Sequence, residues 1–138
     1  MKINFTDLKS PITPFNQEHV NAFLAGIEEA GNITFEKCSI ENYADTDFCL
    51  IYIMTGGTEG IFLNNFEILS QKPCYLLASG ESNSLAASME ILSFLKNRGY
   101  KGEILHGDAA RIADRINSLY HTDMALAKLN GTKVGTIG

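Results

Sequence analysis

Short apolar runs alternate with longer amphipathic stretches along the chain. Two runs, 48–54 and 74–78, are apolar at every position, which is typical of strands covered on both faces of a parallel sheet. Weaker strand patterns occur at 3–8, 33–38 and 101–105. Between the strands, apolar residues recur with helical spacing. The predicted helices cover 16–30, 59–70, 84–98 and 108–120, with a further short amphipathic piece at 124–129.

This order of elements predicts the architecture. Strands that alternate with helices favour a parallel sheet joined by right-handed crossovers. We therefore predict an α/β fold, a Rossmann/flavodoxin-like doubly wound parallel sheet of about five strands with helices on both faces. The sheet and its helices would form an N-terminal α/β domain at 1–130. Gly31 is predicted to end the first helix.

The last residues have a different pattern. Asn130 and Gly131 give a turn signal, and 133–138 resembles a strand that leads into a glycine loop. We predict that 131–138 begins a following domain that is truncated here. The alternative is an edge strand of the same sheet.

Composition narrows the range of functions. The 138 residues suit one domain, and eleven Lys and Arg against sixteen Asp and Glu give a net charge of −5. This acidic balance argues against nucleic-acid binding and against an anionic membrane surface. The N-terminus is too polar for a signal peptide, so we predict a cytoplasmic protein. Three widely spaced cysteines, Cys38, Cys49 and Cys74, are predicted to be small buried hydrophobes.

Polar, glycine-rich loops follow three of the predicted strands. In an open parallel sheet, ligands bind beyond the carboxyl ends of the strands. Hydroxyls, an amide and carboxylates beside exposed backbone amides suit a polyhydroxylated ligand. The candidate binding residues are Thr55, Gly56, Gly57, Thr58, Glu59, Ser79, Ser82, Asn83 and His106. The structural alternative is that these loops only cap helices and permit tight turns, with Thr58, Ser82, Ser84 and Asp108 as N-caps.

Motifs for other chemistries are incomplete. The glycines at 56–60 give G-G-x-x-G rather than G-x-G-x-x-G, and the sequence has no P-loop. The segment 80–84 lacks the last glycine of a nucleophile elbow, which leaves a hydrolase using Ser82 as a remote alternative. The three histidines have no metal-binding spacing. We therefore predict no catalytic residue and no metal ligand in this chain.

Three segments together resemble a known family. They are T-G-G-T-E at 55–59, S-G-E-S-N-S-L-A-A-S-M-E at 79–90 and G-E-I-L-H-G at 102–107. They look like the N-terminal domain of L-fucose isomerase-like proteins, which are related to L-fucose and L-arabinose isomerases. The terminal V-G-T-I-G at 134–138 is similar to the strand that opens the second domain in that family.

The resemblance implies a larger protein that interconverts an aldose and a ketose with the help of Mn²⁺. The metal ligands of the family lie in the second and third domains, so the resemblance implies no cofactor in this chain and no activity of the chain alone. The implied partners are the remaining domains of the same polypeptide, further copies in a homo-oligomer, and a sugar at the edge of the substrate pocket. The alternative is a free-standing flavodoxin-like module that binds a sugar or a sugar phosphate.

Overall fold

A computed structural model describes the backbone of residues 1–137 and the side chains of residues 1–129. Five strands form one sheet in the order β2-β1-β3-β4-β5, and every pairing is parallel. The strands are β1 (Lys2–Leu8), β2 (Thr34–Lys37), β3 (Cys49–Ile53), β4 (Cys74–Leu77) and β5 (Gly102–Leu105). This is the flavodoxin-like strand order, so the predicted fold class is confirmed.

The helices cover both faces of the sheet, as predicted. They are α1 (Gln17–Gly31), α2 (Glu59–Asn64), α3 (Phe66–Leu69), α4 (Ser84–Asn97) and α5 (Ala109–Ile137), with 3₁₀ helices at Ile40–Asp45 and Glu81–Asn83. One hydrophobic cluster joins the sheet to α1 and α5, and a second joins it to α2, α3 and α4. Strand β3 is buried along its whole length because both clusters cover it. Across the described residues, no helix is both long enough and apolar enough to cross a bilayer.

Helix α1 begins and ends at polar residues. The Asn16 side chain accepts hydrogen bonds from the amides of Glu18 and His19, at 2.9 and 3.3 Å, and so caps the first turn. The predicted stop at Gly31 lies one residue early, because Gly31 is the last helical residue. Asn32 adopts the left-handed conformation that ends the helix, with φ 54°.

The predicted helix at 59–70 is wrong in one respect, because it is two helices. The break lies at Asn65, where φ is −115° and ψ is 19°. The Asn65 side-chain amide donates to the carbonyl of Ile61 at 2.9 Å. An asparagine that bonds to nearby backbone groups competes with the helical hydrogen bonds, which explains the break.

The C-terminal helix also differs from the sequence-based expectation. The two predicted pieces at 108–120 and 124–129 form one continuous helix, and α5 extends through Ile137 where we predicted a strand from residue 133. A strand needs a neighbour for its backbone hydrogen bonds, whereas a helix satisfies them internally. Gly138 and the side chains from Asn130 onward lie outside the described residues, so the start of a second domain at 131–138 stays a prediction.

A short 3₁₀ helix that the sequence analysis missed, Ile40–Asp45, is held by Lys72. The Lys72 ammonium donates to the carbonyl of Tyr43 at 2.6 Å, to the hydroxyl of Thr46 at 2.7 Å and to the carbonyl of Thr46. It also lies 4.8 Å from the centre of the Tyr43 ring. Burial lowers the pKa of Lys72. This ammonium fixes the 3₁₀ helix against the sheet.

We expect the Tyr43→Phe substitution to stabilise the fold. The Tyr43 hydroxyl is buried and has no hydrogen-bond partner in the part of the chain that the structure describes. Removing an unpaired buried hydroxyl is expected to raise the free energy of unfolding by about 1 kcal/mol. Urea denaturation measures this change.

The matched control is Tyr75→Phe. The Tyr75 hydroxyl donates to the Asp123 carboxylate at 2.8 Å, so its removal should lower the free energy of unfolding, by about 1–2 kcal/mol. Equal losses from both substitutions would mean that the Tyr43 hydroxyl is satisfied in solution.

Candidate functional site

Loops at the carboxyl edge of the sheet are bonded to one another. We call residues 10–14, 55–58, 79–83 and 106–108 the rim. The Ser10 amide donates to the Thr55 hydroxyl at 2.9 Å, and the Gly56 amide donates to the carbonyl of Ser82 at 2.7 Å. The Ser82 hydroxyl donates to the carbonyl of Pro14 at 3.2 Å. These bonds join the loops after β1, β3 and β4 into one surface.

Thr55 and Thr58 hold the rim from inside. Both are fully buried. The Thr55 hydroxyl accepts from Ser10 and donates to the carbonyl of Gly56 at 2.8 Å, and the Thr58 hydroxyl donates to the carbonyl of Thr55 at 3.2 Å. The structure therefore places both threonines beneath the surface that a ligand would contact, although the sequence analysis counted them as binding residues.

Gly56 and Gly57 are required by packing and by backbone conformation. A Cβ atom on Gly56 would lie 3.0 Å from the Cβ of Asn83. Gly57 has φ +73°, and its Cβ would lie 3.4 Å from the Cβ of Ser10. A larger residue at Gly56 would press against Asn83, and one at Gly57 would be strained by the positive φ. These two glycines act by letting the loops approach.

The loop between β4 and α4 has an unusual backbone. Gly80, Ser82 and Asn83 all have positive φ, at 91°, 53° and 63°. Left-handed backbone at a residue other than glycine costs about 1 kcal/mol or more. Asn83 occupies the N-cap of α4, yet its side chain makes no capping hydrogen bond among the described residues. Its exposed amide is therefore available to a ligand.

We expect the Asn83→Gly substitution to leave the fold intact. Glycine adopts positive φ without strain, and the lost side chain caps nothing in the described structure. The free energy of unfolding should stay the same or rise by up to about 1 kcal/mol. By contrast, Asn16→Ala removes two capping bonds and should cost about 1 kcal/mol. Thermal denaturation of both variants separates the two roles.

His106 is held in one orientation. Its Nδ1 lies 3.0 Å from the carbonyl oxygen of Ala78. Because a carbonyl only accepts, Nδ1 carries the proton in the neutral ring, and Nε2 is left as an acceptor. The nearby Gly80 leaves room for the ring, since a Cβ there would lie 3.2 Å from the His106 Cε1. The exposed ring thus offers one acceptor nitrogen of defined direction.

A polar groove of about 400 Å³ lies between β5 and α5, and His106 lines it. This volume is in the range of small-molecule sites. Arg115 and Glu103 both line the groove, and Arg115 donates two hydrogen bonds to the Glu103 carboxylate, at 2.6 and 2.7 Å. Arg111, Asp114 and Ser118 contribute further polar groups. The sequence analysis found only His106 here, because the α5 residues belong to an ordinary amphipathic pattern without a motif.

The other candidate residues lie in different surroundings. Ser79 and Ser82 line a cavity of about 40 Å³ together with Asn16 and His19 at the start of α1. That volume holds about one water molecule. Glu59 lines an apolar groove of about 150 Å³ between α2 and α4. The structure therefore separates Glu59 from His106.

Asp108 confirms the structural alternative at one position. Its carboxylate accepts a hydrogen bond from the Arg111 amide at 2.8 Å, so it caps the start of α5. Ser84 also has a local role, because its hydroxyl accepts from the Gly80 amide at 3.0 Å. Both side chains stabilise the rim.

Among residues 1–129, no three His, Cys, Asp or Glu side chains come together to hold a metal ion. The Mn²⁺ that the family resemblance implies would be held by residues of the other domains, so no reaction step is assigned to it in this chain. No protein-family model, no curated protein and no solved structure matches this chain.

Proposed function

We propose that this chain is the N-terminal domain of an aldose–ketose isomerase-like protein and that the groove beside His106 receives an uncharged sugar. One of the three segments that carry the family resemblance, 102–107, lines this groove, and Gly80 of the segment 79–90 lies beside the His106 ring. The observation that carries the proposal is that the His106 ring, held by the Ala78 carbonyl, lines a polar groove.

The hydrogen-bonding groups of the groove match a sugar. The His106 Nε2 accepts from a hydroxyl, and the Arg111 guanidinium donates to one. The Ser118 hydroxyl and the Asp114 carboxylate supply further acceptors, and both are exposed. A polyol carries donors and acceptors on neighbouring carbons, so it satisfies both kinds of group at once.

The charges favour a neutral ligand over a sugar phosphate. The segments 55–60, 79–84 and 106–108 contain three carboxylates and no Lys or Arg. Within the groove, Glu103 is paired with Arg115, and Asp114 offsets Arg111. A phosphate group would meet no net positive charge here. Of the two ligand classes considered, the unphosphorylated sugar is the one we propose.

Catalysis is assigned to other parts of the proposed protein. Aldose–ketose isomerisation by this family requires a divalent metal and carboxylates that move a proton. We propose that those groups belong to further domains, that the chain contributes to a homo-oligomer, and that its rim forms the edge of the pocket. A longer polypeptide that contains this chain should then interconvert an aldose and a ketose with Mn²⁺, whereas the chain alone should not.

The second candidate is a free-standing sugar-binding module. It rests on the same groove and differs only in needing no catalytic partner. Isomerase activity in the longer polypeptide would exclude it. Sugar binding without isomerisation by any form of the protein would favour it.

The binding proposal is tested by thermal shift with a panel of aldoses and the corresponding sugar phosphates. A ligand of the folded state raises the melting temperature, and the rise grows with its concentration. We expect this rise with a neutral aldose. His106→Leu removes the acceptor nitrogen and should weaken binding about 5- to 10-fold, the loss typical of one hydrogen bond.

Two further variants complete this test. His106→Gln supplies a donor for the Ala78 carbonyl and an acceptor for the sugar, so it should restore part of the affinity. His121→Leu removes an exposed histidine that the groove does not include and should change nothing. Equal binding by wild type and His106→Leu would refute the groove as the sugar site.

A further inference from the structure

Three cysteines that are far apart in the sequence gather beneath one face of the sheet. Cys49 and Cys74 are buried, and Cys38 is half-buried against the same hydrophobic cluster. The Sγ atoms of Cys38 and Cys49 lie 3.5 Å apart. The Cys74 thiol is directed to another group, because it donates a hydrogen bond to the carbonyl of Leu69 at 3.2 Å. The cluster therefore contains one close pair and one separate thiol.

The two thiols in the pair differ in their exposure to solvent. Cys38 follows the end of β2, outside the regular strand, and its side chain is partly accessible to solvent. Cys49 begins β3 and is buried. A small oxidant can thus reach Cys38 from outside, whereas Cys49 is reached through Cys38. Cys38 lies one residue beyond β2, and its amide donates to the carbonyl of Phe5 in β1 at 2.8 Å, so its sulfur approaches Cys49 by rotation of the side chain rather than by movement of the backbone.

The electrostatic surroundings act on the same pair. Burial raises the pKa of the Cys49 thiol, and the positive charge of Lys72 works against that rise. A nearby cation favours the thiolate, so Lys72 offsets part of the cost of ionising the buried Cys49 thiol.

We infer that Cys38 and Cys49 form a reversible disulfide when the protein meets a hydroperoxide, with Cys38 as the reacting thiol and Cys49 as the resolving thiol. The Cys38 thiolate attacks the outer peroxide oxygen, the O–O bond breaks, and the other oxygen leaves as water or an alcohol after taking a proton. Cys38 is then a sulfenic acid. The Cys49 sulfur attacks the Cys38 sulfur, the S–O bond breaks, and water leaves with the Cys49 proton.

The two steps balance. Two thiols lose two protons and two electrons, and the peroxide takes them up as its O–O bond is reduced. A dithiol reductant reverses the change by exchange. The reaction needs no group of the sugar groove, so it is independent of the proposed function.

The test is a cysteine map of the full chain. The reduced protein is treated with hydrogen peroxide, the peroxide is removed, and the remaining free thiols are alkylated in denaturant. The protein is then digested without reduction by a protease that cleaves after acidic residues. Acidic residues lie between Cys38 and Cys49, and again between Cys49 and Cys74, so all three are resolved. We expect a linked peptide pair that contains Cys38 and Cys49 and is two hydrogens lighter than the sum of the free peptides.

Controls decide between this pairing and other oxidation. Cys74→Ser should still give the linked pair, whereas Cys38→Ser and Cys49→Ser should lose it. The wild-type map answers the question even if a variant fails to fold, because Cys74 must stay alkylated while Cys38 and Cys49 lose alkylation together. Sulfinic acid on Cys38 with Cys49 still alkylated, a link to Cys74, or links between chains alone would each overturn the inference.

Discussion

Replacing Phe62 by alanine is expected to lower the free energy of unfolding by about 3–5 kcal/mol. Phe62 is fully buried, and its ring contacts that of Phe66 at a centroid distance of 6.0 Å. It fastens α2, the helix that follows the rim loop at 55–58, to the sheet. Removal of the Phe62 ring leaves a cavity, and the short helix α2 cannot move far enough to close it. Urea denaturation gives the loss.

Leu63 provides the control for Phe62. It is the next residue of the same helix and is 46% exposed. Leu63→Ala removes apolar side-chain atoms from the same helix but creates no internal cavity, so it should cost less than about 1 kcal/mol. Similar losses from the two substitutions would show that α2 does not pack on the sheet through Phe62.

Replacing glycine by alanine is expected to lower the stability of the fold at one position of α1 and to raise it at another. A Cβ on Gly31 would lie 2.8 Å from the Cβ of Ala113 and 2.9 Å from the Ile33 Cδ1. This contact forces α1 away from α5. We expect Gly31→Ala to lower the free energy of unfolding by about 1–3 kcal/mol, even though alanine favours the helix.

Substitution of Gly26 by alanine measures the effect of helix propensity without a steric clash. Its Cβ would lie 3.6 Å from the Cβ of Ala109, which is ordinary contact. Gly26→Ala should therefore raise the free energy of unfolding by up to about 1 kcal/mol. Thermal and urea denaturation of the two variants show whether each substitution raises or lowers the free energy of unfolding. Stabilisation by both would mean that α1 and α5 are farther apart in solution.

The fold class could be predicted from the sequence because buried parallel strands have a distinctive pattern. The apolar runs at 48–54 and 74–78 correspond to β3 and β4, the two strands buried along their whole length. The strands in the interior of the sheet can therefore be identified from their continuous apolar sequence. Edge strand β2 has three exposed residues out of four and gives a weaker signal.

Features that depend on single contacts could not be predicted. The break at Asn65 follows from one side-chain hydrogen bond. The 3₁₀ helix at Ile40–Asp45 depends on Lys72, a residue 29 positions from Tyr43. The sequence predicts the end of α1 at Gly31 to within one residue, but it does not show that Gly31 also leaves room for Ala113 of α5. Hydrophobic periodicity describes which face is buried but not how closely two helices approach.

The candidate site divides in the same way. The loops of the rim and the position of His106 follow from strand ends, which the sequence shows. The burial of Thr55 and Thr58 could not be predicted from the sequence. A threonine in a loop has the same sequence pattern whether its hydroxyl faces solvent or a carbonyl. The groove between β5 and α5 depends on side chains such as Arg111 and Ser118 that lie on an ordinary helix.

The most direct measurement of the central claim is a titration of the ¹⁵N-labelled chain with a neutral aldose, followed by amide chemical shifts. We predict saturable shifts at residues 79–83, 105–108 and the first turns of α5, with little change around the apolar groove between α2 and α4. A sugar that shifts only residues remote from His106, or none at all at saturating concentration, would contradict the account.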